Sequence, residues 1–185
     1  PHFFSQSTAA TPYSRSRGTY TLSTKPAAFT GPGVETWVNA NASKLDLDAF
    51  QGVGKFRIRY TPNPKWTFKG GYSAQQVRGK RAFGTLFGST AGTYHITELA
   101  EPLDYLTHNF ELGGEYAGDG WSLGMAYNGS LFRNSISSIT WDNPINSGVG
   151  AACVDDAAYS NSAGTGPCRG KLDLYPNNHA HTFTL

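Results

Sequence analysis

The side chains that could do chemistry are few and widely spaced. His179 and His181 form an H-x-H in "HAHTFTL", which puts both imidazoles on one face of a strand and can chelate a metal. No third ligand accompanies them, so they are expected as interface histidines, and His108 with them. Asp142, Asp155, Asp156 and Asp173 fall in one polar segment, where weak calcium binding is conceivable. The EF-hand pattern is absent, however, and a solvated loop is the expectation. Glu111 and Glu115 share a strand face with no histidine base nearby, and neither G-x-S-x-G nor a P-loop occurs. The residues thus offer no catalytic set, no metal site and no cofactor bound by this chain. Cys153 and Cys168, the only 2 cysteines, sit among Gly, Ser and Asp and suggest one disulfide in an oxidising compartment. C-x-x-C-H, which would attach a haem, and zinc-type spacing are both missing.

The elements that must position these residues are strands. Aromatics make up 14 % of the 185 residues and Gly counts 22, a β composition. Charged residues are 15 %, well below the roughly 25 % usual for soluble domains. A net charge of +2 is too weak to argue for nucleic acid. No run approaches the roughly 18 apolar residues of a membrane helix. The chain begins at Pro1 and ends at Leu185 inside an alternating run, so a piece of something longer is expected.

Period 2 fits every strong run; helical period fits none. In "VGKFRIRY", Phe56, Ile58 and Tyr60 oppose Lys55, Arg57 and Arg59. "TPNP" breaks the run, and "WTFKGGYS" resumes it with Trp66, Phe68 and Tyr72 against Thr67, Lys69, Gly71 and Ser73. In "YLTHNFELGGEY", Phe110, Leu112 and Tyr116 oppose Asn109, Glu111, Gly113 and Glu115. After "AGDG", Trp121, Leu123, Met125, Tyr127 and Leu131 oppose Ser122, Gly124, Ala126, Asn128 and Ser130. The expected layout is an irregular segment over 1–50 with one or two strands ("GTYTLST", "SKLDLDAF"), then barrel strands and loops over 51–185. Within the latter come a hairpin over 51–74, a long loop over 75–104, a hairpin over 105–132, a long loop over 133–178 and a strand over 179–185.

Two features favour a membrane wall over a soluble antiparallel sandwich, which would also alternate. Connections run short, long, short, long, as outer-membrane barrels place short turns in the periplasm and long loops outside. Tyr60 and Trp66 flank one short turn, Tyr116 and Trp121 the other, all four on the apolar parity, as a lipid-facing aromatic girdle requires. The fold class expected is all-β: an antiparallel transmembrane β-barrel, of which these strands are one part of a large outer-membrane barrel. Closure satisfies the backbone polar groups that hydrocarbon cannot.

Over "EPLDYLTHNFELGGEYAGDGWSLGMAYNGSLFRNSISSITWDNP", residues 101–144, the chain resembles the MtrB/PioB-type outer-membrane barrels that accompany decahaem c-type cytochromes. "KFRIRYTPNPKWTFKGGYSAQQVRGKRAFG", "PHFFSQSTAATPYS" and "YPNNHAHTFTL" are similar to that family as well. The resemblance implies a fragment of a barrel several times longer, in the bacterial outer membrane. It implies a sheath that holds a multihaem c-type cytochrome, periplasmic or lumen-inserted, so that electrons cross the membrane through haem c on that partner. An extracellular cytochrome at the long loops is a further partner it suggests; nucleic acid is none.

On this reading Lys55, Arg57, Arg59, Lys69, Gly71, Asn109, Glu111, Gly113, Glu115, Gly124, Ala126 and Asn128 face the lumen and are candidate partner contacts. The small residues suit close approach of another backbone, or equally a packing role in the sheet. The charges are expected to pair with one another or stay solvated rather than bind propionates. Rival functions are a diffusion porin or specific transporter, which predicts an open charged channel, and a secreted β-domain binding through long loops, which predicts solubility without detergent.

Overall fold

The computed structural model describes residues 8–24, 31–90, 93–142 and 169–185. Cys153 and Cys168, the expected disulfide, lie outside the described residues, as do Asp155 and Asp156. Eleven strands and one helix are described: β1 Thr8–Thr11, β2 Ser14–Ser16, β3 Thr19–Thr21, α1 Gly31–Asn41, β4 Ser43–Asp46, β5 Ala49–Asn63, β6 Trp66–Thr90, β7 Thr93–Ala117, β8 Ser122–Asn134, β9 Ser138–Asp142, β10 Arg169–Asp173 and β11 Asn178–Thr184. They sort into two compact units. One comprises 1–49, 79–103 and 136–174, the other 50–78, 104–135 and 175–185. β6 and β7 contribute to both.

The first unit has a conventional interior. Tyr13, Tyr20, Leu22, Trp37, Leu99, Ile139 and Trp141 form its buried core. Tyr20, Ile139 and Trp141 sit on a four-stranded sheet in the order β10-β9-β3-β2, in which β3 pairs parallel to β9, while Trp37 comes from α1 and Leu99 from β7; β1 pairs with β4 in a separate two-stranded sheet. Helix α1 was not expected from "GPGVETWVNAN", which is rich in weak helix formers. Pro32 suits a first turn, but tertiary packing holds the helix, because Trp37 is buried in the core and its indole N–H donates to Thr24 Oγ1 at 3.1 Å.

Asp142 is the polar centre of this unit. It is fully buried, its Oδ1 accepts from Arg169 Nε at 2.8 Å, and its Oδ2 accepts from the Leu22 amide at 2.9 Å. The Tyr13 hydroxyl donates to the Asp142 carbonyl at 2.7 Å. Burial, helped by the Asp142 charge, pushes the Tyr13 phenol far up, so it remains a donor. The Tyr20 hydroxyl donates to the Ala100 carbonyl. Asp142 is thus a structural ion-pair residue rather than part of a solvated loop, and Asp173 lies 3.9 Å from Lys171.

The expected loop over 75–104 is replaced by strands. β6 runs on to Thr90 and β7 begins at Thr93, so one long hairpin stands where a structureless connection was expected. Its alternation is lost for physical reasons. Glu98, Leu99, Ala100 and Glu101 are consecutive and all buried, so both faces are covered there. Ion pairs between the two strands, Arg81 with Glu101 (2.6 Å) and Arg78 with Asp104 (3.3 Å), make both parities look polar. Gly79 sits at the change of unit with φ 139°, where any Cβ would strike the Asp48 carbonyl oxygen. The expected loop over 133–178 likewise contains β9 and β10, which pair antiparallel from Arg169↔Asp142 to Asp173↔Ser138. The irregular 1–50 segment resolves, in its described part, into β1–β4, α1 and the start of β5.

The second unit is one antiparallel five-stranded sheet in the order β11-β8-β7-β6-β5. Its short turns, 64–65 and 118–121, are at one end, and β11 runs toward that end, from Asn178 opposite Phe132 to Thr184 opposite Ala126. Asn63 Oδ1 caps the first turn by accepting from the Lys65 and Trp66 amides. In the second, Gly120 takes φ 86° and the Trp121 indole covers Gly118 so closely that a Cβ there would clash.

Candidate functional site

The register of the five-stranded sheet sorts its residues onto two faces. Across β7 and β8, Asn109 stands opposite Ser130, Glu111 opposite Asn128, Gly113 opposite Ala126 and Glu115 opposite Gly124. β6 adds Lys69 and Gly71 to the same face: Lys69 Nζ is 2.5 Å from Glu115 Oε1, and a Cβ on Gly71 would lie 3.0 Å from Glu111 Oε2. β5 adds Arg57, whose guanidinium is 3.8 Å from Glu111 Oε2. Asn109 donates to Ser73 Oγ at 3.4 Å. Lys55 and Arg59 share the parity of Arg57, are exposed, and make no ion pair among the described residues. The polar set is therefore assembled on one side, with two of its four cations matched to its two carboxylates. Arg57, Arg59, Lys69, Glu111, Gly113, Ala126 and Asn128 line a shallow groove whose floor is backbone, because Gly113 and Ala126 bring no bulk.

The opposite face is apolar and uncovered. Phe56, Ile58 and Leu112 are each more than half exposed, and Trp121, Met125 and Phe183 likewise. Soluble monomers rarely expose a contiguous apolar patch of this extent. Trp66, Tyr116 and Trp121 form a continuous cluster at the short-turn end, with ring centroids 4.8 Å and 5.0 Å apart. Tyr60 has the same parity and is exposed, but makes no ring contact with them among the described residues. Gly114 lets the Phe68 ring lie across it, and Gly129 lets Tyr127 do so.

Sequence reasoning expected His108, His179 and His181 at an interface but missed the tyrosine partners two of them have on this face. The Tyr72 hydroxyl is 2.7 Å from His108 Nδ1, and the Tyr127 hydroxyl is 2.8 Å from His181 Nδ1, each ring pair stacked. His108 and His179 both stand opposite Leu131, one from each side, and Arg133 is the next residue of β8 on that face. The signal was present as two W-x5-Y runs, Trp66 to Tyr72 and Trp121 to Tyr127, and two H-x-F runs, His108 to Phe110 and His181 to Phe183. Among the described residues no group of three or more His, Cys, Asp or Glu is placed to hold a metal.

Comparison with known proteins agrees with this two-faced wall. The model of a family described as outer membrane beta-barrel porin, MtrB/PioB, matches residues 2–185. The chain is similar to "Outer membrane protein MtrB" of Shewanella baltica (strain OS185), with 25 % identity over 189 aligned residues. That alignment covers 92 % of this chain and 24 % of the relative, so the chain spans about a quarter of the relative's length.

Proposed function

The chain belongs to the MtrB/PioB family of outer-membrane β-barrels, and from that premise we propose that its five-stranded sheet is a wall section of a sheath around a multihaem c-type cytochrome. It resides in the bacterial outer membrane, and its strands are part of an antiparallel transmembrane barrel. The apolar face meets lipid, and the polar face meets the lumen. The observation that carries the reading is the charge-matched, small-residue polar face. Arg57 and Lys69 are neutralised by Glu111 and Glu115, while Gly71, Gly113, Gly124 and Ala126 remove side chains between them. Such a surface admits another polypeptide at backbone distance. Lys55 and Arg59 remain to meet acidic groups on that partner.

In this reading the barrel does no redox or bond-making chemistry. It supplies a hole of fixed shape through an insulating layer, and the partner's haem c carries the electrons. An extracellular cytochrome docks at the end of the sheet away from the short turns. A diffusion porin is the second reading, favoured by the unpaired Lys55 and Arg59 and by the family's description.

One preparation separates them. The full-length protein, purified gently from membranes, is run on a haem-stained gel and its c-type absorbance recorded. Stoichiometric haem c on a separate co-purifying polypeptide is expected. A haem-free barrel that conducts ions in a planar bilayer would replace the sheath with the porin.

A further inference from the structure

The apolar face of the sheet carries a repeated arrangement that a sheath or a pore does not require. On β6, Tyr72 follows Trp66 by six residues; at β8, Tyr127 follows Trp121 by six. Each Tyr meets an H-x-F on the neighbouring strand, with its hydroxyl on the histidine Nδ1 and its ring tilted against the phenylalanine, at 5.2 Å for Phe110 and 4.9 Å for Phe183. A phenol on an apolar face must place its proton on the available acceptor, which here is Nδ1. That leaves the imidazole proton on Nε2, with no partner among the described residues. A lone N–H donor is costly in hydrocarbon, so this row belongs where polar lipid groups begin.

The dimensions agree. Trp66 packs on Tyr116 at the short-turn end, and His108 is eight residues from Tyr116 along β7. At about 3.4 Å per residue that is about 27 Å of strand. A tilt of about 45° makes it about 20 Å along the membrane normal, close to an apolar band about 25 Å tall. Trp66, Tyr116 and Trp121 then mark the periplasmic edge, and the histidines mark the outer edge. Around Leu131 this outer edge gathers two imidazoles and one guanidinium. His108 and His179 flank it from the two neighbouring strands, and Arg133 follows it on the same face, exposed and without an ion pair among the described residues.

We propose that His108, His179 and Arg133 form a binding site for the phosphate of an outer-leaflet lipid headgroup. The register places two imidazoles and one guanidinium around Leu131 on one face, a donor set that a phosphate oxygen array matches. The Tyr72–His108 pair presents its donor outward. The inference rests on the reading of this face as lipid-facing, and its test keeps the two apart.

The full-length barrel is exchanged into nanodiscs holding either phosphatidylglycerol or a phosphate-free galactolipid, and lipid retained after mild extraction is counted by native mass spectrometry. Phosphatidylglycerol should be retained by the unaltered protein and lost by about tenfold in a His108→Phe, His179→Phe, Arg133→Gln triple variant, as removal of charge-assisted hydrogen bonds implies. The galactolipid should be retained weakly and equally by both. Should the triple variant fail to show the heat-modifiable mobility of a folded barrel, Arg133→Gln alone, which removes the charge and keeps a polar side chain at an exposed position, should still lower phosphatidylglycerol retention. Equal phosphatidylglycerol retention in all variants, or equal retention of the two lipids, overturns the site. Quenching by bromolipids, compared between the unaltered protein and a Trp66→Phe, Trp121→Phe variant, reports the underlying orientation. Without quenching from these tryptophans the lipid-facing reading falls too; with quenching and unchanged retention, the phosphate site alone falls.

Discussion

The two units of this chain treat the same residue types in opposite ways. In the unit of 1–49, 79–103 and 136–174, Tyr20, Leu99 and Ile139 are fully buried and close on a hydrogen-bonded aspartate. In the sheet of 50–78, 104–135 and 175–185, Phe56, Tyr60, Leu112 and Trp121 stand about 60 % exposed, and no large apolar side chain among the described residues is fully buried. The first follows the rule for a domain in water, with apolar groups inside and its buried polar groups partnered except for Glu98 Oε2. The second inverts it, as a sheet with hydrocarbon on one face would. Two strands, β6 and β7, obey one rule over part of their length and the other rule over the rest.

The sharpest way to break this comparison is to remove the polar centre of the first unit. Asp142→Ala removes the carboxylate that pairs with the mostly buried Arg169 guanidinium and frees the Leu22 amide. A loss of about 3–5 kcal/mol is expected, seen as earlier proteolysis of this unit while the barrel keeps its heat-modifiable mobility. If the whole barrel lost its mobility together with the unit, the two would not be separate.

Next in size is a charge placed on either face of the sheet. Leu112→Arg, at the middle of the apolar face, should cost about 2–4 kcal/mol in urea unfolding from lipid vesicles. Asn128→Arg, one strand away on the polar face, should cost little. Equal costs would mean that the two faces see the same medium.

A smaller effect concerns pH. Glu98 is buried, its Oε2 has no hydrogen-bond partner among the described residues, and burial holds its pKa above the ordinary carboxylate value. A raised folded-state pKa means that the unfolded chain releases this proton first. Stability of the first unit should therefore fall as pH rises through the ordinary glutamate range and level off above the folded value. Glu98→Gln should flatten that slope, which pH-dependent limited proteolysis would show. A slope unchanged by the substitution would remove Glu98 as its source.

The smallest effect should come from Lys69→Met. Its partner Glu115 is exposed, and such pairs contribute little. Chemical unfolding of the barrel should barely respond, unless the lumen is filled by a partner that desolvates the pair.

Legibility in the sequence followed the same divide. Where one face of the sheet is apolar and the other polar, alternation is strong, and Phe56, Ile58, Leu112 and Met125 could be sorted from Arg57, Glu111 and Ala126 by parity alone. Parity also narrowed the partners of Glu111 and Glu115 to Lys55, Arg57, Arg59 and Lys69, of which Arg57 and Lys69 make the ion pairs. It failed wherever both faces of a strand are covered, as at Glu98–Glu101, and strands there read as loop. Helix α1 was invisible because Trp37 holds it by contacts distant in sequence rather than by its own propensity. The Tyr–His row was missed because histidine on an apolar parity looks like an interruption until its tyrosine partner on the next strand is known.

On the proposed function the sheet separates lipid from a protein-filled lumen. In full-length protein with Cys153 and Cys168 replaced by serine, single cysteines at Leu112 and Ala126 would carry spin labels, read by collision with oxygen and with a water-soluble nickel chelate. The label at 112 should respond to oxygen and ignore nickel. The label at 126 should be immobile and shielded from both in the native assembly, then become nickel-accessible once any co-purifying polypeptide is stripped away. A nickel-accessible label at 112, or one at 126 that is freely mobile and nickel-accessible from the outset, would contradict it.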